Sequence, residues 1–166
     1  MNLYFLRHGI ALERTQWRKA DAERPLTEEG VDKMEKIARG MRKGLGLEFD
    51  WILTSPYRRA YDTAQIVARQ YKASKKMRLS KSLAPDGDPK NLMRHLALDF
   101  RSWEQILLVG HEPYMTRLIS TLISGTQEAT LDLKKGGLCA LRADSLTYGR
   151  CATLEWWLTP KQLRRL

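Results

Sequence analysis

The 166 residues suit one domain with one core, 1–166, and 43% hydrophobic with 29% charged residues describes a soluble globular chain. Two cysteines, Cys139 and Cys151, outside any CxxC pattern, exclude a disulfide scaffold and a Cys-rich zinc site, and a reducing cytoplasm is the expected compartment. A net charge of +10 suggests an anionic partner (phosphate ester, phosphoprotein, nucleic acid or membrane surface) or a solvated basic face without one.

Asn2-Leu3-Tyr4-Phe5-Leu6 reads as a buried strand, central or near-central in an α/β sheet, and it delivers Arg7-His8-Gly9. Ligands of open α/β sheets bind beyond the strand carboxyl ends, although three such residues alone also fit a polar strand end. Residues 10–24 have no period and predict a long polar loop. Thr27 with Glu28 and Glu29 predicts a helix start, and Val31, Met34, Ile37, Ala38, Met41 and Leu45 continue it to a stop at Gly44 and Gly46.

Asp50–Thr54 is the second predicted strand. Ser55-Pro56 predicts a capped helix running from Pro56 to about Tyr71. Arg58 and Arg59 in its first turn oppose the helix dipole, so they either hold an anion there or point to solvent. Met77-Arg78-Leu79 is a weak third strand, and a turn-rich segment leads to a helix from Asp88-Pro89 in which His95 is a surface or packing residue. Gln105–Val109 is a continuous apolar strand that delivers Gly110-His111-Glu112-Pro113, followed by a helix from Tyr114 to Ser124. Residues 138–142 and 152–157 predict an antiparallel pair, and Thr159-Pro160 leads into a short basic tail. Both cysteines are expected to be packing residues.

A parallel sheet would gather Arg7 and His8, Ser55 to Arg59, and His111 and Glu112 at one edge. No GxxxxGK[ST], GxGxxG or GxSxG is present, and two histidines are too few for a metal site. Arginines bind phosphoryl oxygens, and a neutral imidazole nitrogen can be a nucleophile. Together they fit phosphoryl transfer through a phosphohistidine.

Leu6-Arg7-His8-Gly9, the run from Arg24 through Pro25-Leu26-Thr27 to Gly30, the run from Thr54 through Ser55-Pro56 to Ala64, and Val109–Pro113 resemble, in order and spacing, the histidine phosphatase superfamily. The short direct run from the RHG motif to Arg24-Pro25-Leu26-Thr27 is similar to its SixA-type phosphohistidine phosphatases. The resemblance implies a three-layer α/β/α sandwich with a mostly parallel central sheet, phosphoglycerate-mutase-like. It implies His8 as nucleophile, with Arg7, Arg59 and His111 holding the phosphoryl oxygens. Arg58 becomes a neighbour that helps recruit substrate, and Gly9, Ser55 and Glu112 further candidates for binding it. A backbone carbonyl, that of Gly9 among the candidates, is expected to hold the second His8 nitrogen.

Larger members carry an acidic or polar residue after RHG and an asparagine a few residues on, where this chain has Ile10 and Arg14, so Arg14 is a candidate phosphate contact. Asp86, with Asp88, is a candidate for the leaving-group acid of larger members. A phosphohistidine needs less acid assistance because imidazole is a good leaving group. The expected reaction is metal- and cofactor-free removal of phosphate from phosphohistidine on a protein, such as a histidine phosphotransfer domain. The alternatives are a phosphatase of a small phosphorylated metabolite and an inactive phosphate- or phosphoprotein-binding module. No signal peptide, membrane span or nucleic-acid partner is expected, and the chain is expected to be monomeric.

Overall fold

The structure, a computed structural model, describes residues 1–99 and 104–166. Among the described residues six strands form one mixed sheet: β1 Asn2–Arg7, β2 Trp51–Thr54, β3 Met77–Leu79, β4 Gln105–Gly110, β5 Leu138–Ala143 and β6 Ala152–Leu158. Their order across the sheet is β3-β2-β4-β1-β5-β6, the first four mutually parallel and the last two antiparallel. Among the described residues five α-helices accompany them: α1 Glu28–Gly44, α2 Arg58–Gln70, α3 Pro89–Asp99, α4 Tyr114–Ser124 and α5 Pro160–Leu163.

Strand alternation divides the core in two. Tyr4, Leu6, Leu107 and Val109 face one side, against Met34, Ile37 and Met41 of α1, Ala60, Ala64 and Val67 of α2, and Leu163 of α5. Leu3, Phe5, Ile106 and Leu108 face the other, against Leu92 and Leu96 of α3 and Met115, Leu118 and Leu122 of α4. This is the expected three-layer α/β/α arrangement. Cys139 and Cys151 are buried and unpaired by disulfide, Cys139 within β5 and Cys151 just before β6, its thiol donating to the Thr147 carbonyl at 3.1 Å. Among the described residues no helix is long and apolar enough to cross a membrane.

Two expectations need correction. The second helix begins at Arg58, not Pro56, because the Ser55 hydroxyl accepts the Tyr57 N–H at 3.2 Å in a local turn and the Tyr57 carbonyl accepts the first helical N–H groups, those of Ala60 and Tyr61. The short basic tail, for which no element was expected, holds a helix. Thr159 and Gln162 form a reciprocal capping box with Pro160 in the first turn, and α5 docks on α1 through the fully buried Leu163. The Gly40 of α1 permits this contact, since a Cβ there would lie 1.8 Å from the Leu163 carbonyl oxygen.

The loop after Gly9 is irregular, as expected, but closed at its base. Ala11 bridges Leu26, Leu12 N–H donates to the Pro25 carbonyl at 3.1 Å, and Thr27 N–H donates to the Ile10 carbonyl at 3.0 Å. Two short 3-10 turns, Arg14–Gln16 and Asp21–Glu23, lie within it. Thr27 also caps α1 by accepting the Gly30 N–H at 2.9 Å, and Gly30 lets the Ile10 carbonyl approach the helix.

Candidate active site

Parallel register levels three strand ends. Arg7 pairs with Gly110 and Thr54 with Val109, so the residues one step beyond meet. His8 N–H donates to the Gly110 carbonyl at 3.1 Å and Ser55 N–H to the Val109 carbonyl at 3.0 Å. His8 and His111 thereby stand with ring centroids 5.1 Å apart, and Tyr57 meets His111 edge-on at 5.3 Å.

The protonation state of His8 follows from its partners. Its Nδ1 lies 2.7 Å from the Gly9 carbonyl, which can only accept, so Nδ1 carries the hydrogen. Its Nε2 lies 3.3 Å from Arg59 Nε, which can only donate, so Nε2 carries the lone pair. Burial pushes the His8 pKa down to about 3; the Gly9 bond opposes this, and Arg59, Arg7 and Lys135 add to it. His8 is therefore neutral at pH 7 with a bare ring nitrogen inside the site. Gly9 itself is anchored, its N–H donating to Thr63 Oγ1 at 3.0 Å while the Thr63 hydroxyl donates to the Arg59 carbonyl at 2.7 Å.

Arg59 is the inward arginine of the pair, 4% exposed. One terminal nitrogen donates to the Asp21 carbonyl at 3.0 Å and pairs with the Asp21 carboxylate at 3.1 Å. Burial works against its charge and Asp21 supports it. Arg7 donates to the Leu133 carbonyl at 2.9 Å, while its Nε is buried with no partner among the described residues. Burial lowers its pKa and the Glu112 and Asp132 carboxylates oppose that. His111 is 2% exposed, its Nε2 2.8 Å from Ser55 Oγ and its Nδ1 buried without a partner among the described residues. Burial first, then His8, Arg59, Arg24 and Arg7, push it down to about 2.

The remaining candidates lie elsewhere. Arg58 turns outward to Asp62 at 3.6 Å, its side chain 57% exposed. Arg14 donates to the Trp17 and Lys19 carbonyls of its own loop at 2.9 and 3.3 Å. Asp86 is exposed in a turn closed by Gly87 N–H on the Ala84 carbonyl, and Asp88 accepts the Lys90 N–H at 2.8 Å at the start of α3. Among the described residues, Arg14, Arg58 and Asp86 make no hydrogen bond or ion pair to His8, Arg7, Arg59 or His111. Glu112 accepts the Thr116 hydroxyl at 2.6 Å and its N–H at 3.3 Å; burial raises its pKa against those bonds and Arg7. His95 is exposed on α3.

Sequence reasoning missed Asp21. It accepts Arg24 Nε at 2.9 Å as well as Arg59, and it stands 4.0 Å from Arg14. Partial burial pushes its pKa up, but Arg24 and Arg59 outweigh that and hold the carboxyl below its ordinary value. The Asp21–Arg24 spacing of three was visible as a local pair; its return onto Arg59, 38 residues away in sequence, was not. Among the described residues no group of three or more His, Cys, Asp or Glu could hold a metal ion. A cleft of about 480 Å³ between α2 and β3 reaches Thr54 but contains neither histidine. The assembled site is a cationic, largely buried crevice with one unprotonated imidazole nitrogen, His8 Nε2, and two nitrogens, Arg7 Nε and His111 Nδ1, without a partner among the described residues. It is suited to receiving a tetrahedral oxyanion.

A family model for the histidine phosphatase superfamily (branch 1) matches residues 3–84. The chain is 35% identical over 148 residues to an uncharacterized protein of Picosynechococcus sp., the match covering 86% of each. It is 26% identical over 166 residues to the phosphohistidine phosphatase SixA of Escherichia coli, covering 99% of this chain and 97% of that one. The solved structure of the protein histidine phosphatase SixA complexed with tungstate matches with a TM-score of 0.85 at 26% identity, over 98% of this chain and 99% of that one. The α-ribazole phosphatase of Shigella flexneri shares the fold at 17% identity, with a TM-score of 0.75 over 96% and 97% of the two chains.

Proposed function

The chain belongs to the histidine phosphatase superfamily, and from that premise we propose that it is a phosphatase working through phospho-His8, with phosphohistidine on a protein as its favoured substrate. The observation that carries the reading is the unprotonated Nε2 of a His8 ring that the Gly9 carbonyl holds through Nδ1, with Arg59 and His111 beside it. Nε2 attacks phosphorus, and the bond from phosphorus to the leaving nitrogen breaks as the N–P bond to His8 forms. The Arg59 Nε–H, which donates to Nε2 in the resting site, turns its hydrogen bond to a phosphoryl oxygen and keeps its proton. Arg7 Nε and His111 Nδ1 are the other vacant contacts. Water then attacks phospho-His8, inorganic phosphate leaves, and His8 regains its lone pair. Positioning and charge stabilisation suffice for such a transfer.

The preference for an N–P bond rests on there being, among the described residues, no carboxyl bonded to His8 or His111; Glu112 is turned to Thr116. Asp88 is engaged at a helix start, Asp86 is exposed, and Asp21 is held ionised by two arginines. Imidazole leaves with less protonation than an alkoxide. The relative most informative here, SixA of Escherichia coli, is named for that substrate class and aligns over nearly the whole chain. A basic loop bearing Arg14, Arg18 and Lys19 suits an acidic phosphoprotein such as a phosphotransfer domain.

The test is phosphate release from a phosphohistidine-loaded phosphotransfer domain and from a panel of small phosphomonoesters, with His8→Ala as control. Release from the phosphoprotein, lost in the variant, is expected. Turnover confined to one small ester would replace this reading with a metabolite phosphatase, and phosphate binding without turnover anywhere would replace it with a binding module.

A further inference from the structure

Ser55 is fully buried, and its hydroxyl oxygen has two partners: the Tyr57 N–H, which it accepts at 3.2 Å, and His111 Nε2 at 2.8 Å. An amide N–H only donates, so Tyr57 occupies one lone pair of the oxygen. The hydroxyl hydrogen needs an acceptor, and of these two partners only His111 Nε2 can be one. The reverse arrangement, Nε2–H donating to Ser55, would give the hydroxyl oxygen two donors and leave its own hydrogen stranded in the interior. It would also leave the buried Nδ1 of His111 as a bare lone pair, facing any anion in the crevice.

The surroundings of His111 favour a neutral ring. His8 lies beside it at the end of β1, Arg7 on the same strand end, Arg24 in the following loop, and Tyr57 and Arg59 at the start of α2. Arg7, Arg24 and Arg59 all disfavour an imidazolium there. The Glu112 carboxylate next in sequence is turned to Thr116. A neutral ring donates from Nδ1 only in one of its two tautomers, so something must select it.

We infer that Ser55 is a positioning residue whose hydroxyl donates to His111 Nε2 and so fixes the Nδ1–H tautomer, giving a neutral His111 an N–H to offer the phosphoryl oxygens. This deepens the phosphatase reading and rests on it for the identity of the anion. The two histidines then share one tautomer in opposite orientations. His8 commits its Nδ1–H to the Gly9 carbonyl and offers a lone pair; His111 commits its lone pair to Ser55 and offers a hydrogen. A neutral donor stabilises the phosphoryl group without carrying an acidic proton that would quench the nucleophile.

The chain has three histidines, His8, His95 and His111, so long-range proton–nitrogen NMR of the labelled side chains near pH 7 resolves the question, with His95→Gln removing the exposed ring from the spectrum. The expected result for His111 is a protonated-type Nδ1 and a bare-type Nε2 in the unliganded protein. Ser55→Ala is expected to mix or reverse the two signals and to weaken binding of inorganic phosphate about tenfold to a hundredfold, the scale of one hydrogen bond to a charged group. An Nε2–H tautomer or an imidazolium at His111 in the unsubstituted protein overturns the inference, as does an Ser55→Ala variant that keeps both the tautomer and the phosphate affinity. The unsubstituted spectrum decides even where the variant does not fold. An Nδ1–H His111 in a protein without phosphate release supports the tautomer assignment and instead overturns the phosphatase reading.

Discussion

Arg59 shows how much one side chain carries. It touches His8 through Nε and Asp21 through a terminal nitrogen, so its planar fork spans two partners that a lysine ammonium could not reach together. Arg59→Lys is expected to lower kcat by about 10²–10³, the cost of removing one preorganised donor, measured against unchanged thermal stability. The histidines make a second prediction. His8 is neutral in the folded protein down to about pH 3, so the kcat/KM profile is expected to lack an acid limb near 6.5, the value of a free histidine. The same shift sets a stability dependence. The unfolded chain takes up a proton at His8 below about 6.5 and the folded one does not. That stabilisation is therefore complete above 6.5 and is lost as pH falls towards about 3. Denaturant titrations at pH 7 and pH 5 are expected to show a smaller acid loss in His8→Asn than in the unsubstituted protein.

At the scale of elements, close backbone contacts tie helices to the site. A Cβ on Gly30 would lie 2.0 Å from the Ile10 carbonyl oxygen, the same carbonyl that accepts the Thr27 N–H. The Arg24–Gly30 motif thus has a structural reason: it caps α1 and draws the loop bearing Asp21 and Arg24 back beside His8. Gly30→Ala is expected to lower activity together with stability, because the displaced carbonyl belongs to the segment leaving His8. Gly40→Ala should act differently. Its Cβ would meet the Leu163 carbonyl, displacing α5 at a cost of about 1–3 kcal/mol by overpacking, read as a lower Tm, with little change in kcat because α5 supplies none of the site's hydrogen bonds. Finding the two variants alike in kcat would remove the distinction between a site-bearing and a peripheral contact.

The whole molecule contributes a field. A net charge of +10 attracts anionic substrates from beyond contact range, and ionic strength screens it over about 8–10 Å. For an acidic phosphoprotein, kcat/KM is expected to fall steeply between low and physiological salt. Turnover of a small monoester should fall less, because it presents fewer charges to the surface. Equal salt sensitivity of the two would argue against a broad electrostatic contact with a phosphoprotein.

Strand alternation, helical periodicity and the residues next to them determined the layers without any structure. Tyr4 and Leu6 oppose Leu3 and Phe5 because side chains alternate along a strand, and the apolar run at 105–109 requires cover on both faces. Histidines at two strand ends and arginines at a helix start were likewise legible as one crevice, because parallel strands end on the same edge. The sequence also carried the signals of Thr159, Pro160 and Gln162, a local capping pattern that belonged to a helix rather than a tail. Residue chemistry alone left Arg58 and Arg59 alike and the family resemblance pointed to Arg59; the tertiary structure supplies the reason, since Arg59 meets His8 and Asp21 while Arg58 meets Asp62. The tertiary structure alone decided the place of Asp21, because an irregular loop has no period from which a side chain's direction follows. For the tautomer of His8 the sequence suggested a backbone carbonyl as the partner of the second nitrogen, and the tertiary structure identified it as that of Gly9 and placed Arg59 on the other nitrogen. A ring's hydrogen is assigned by the partners that surround it, and those partners come from β1, its following turn and α2 together.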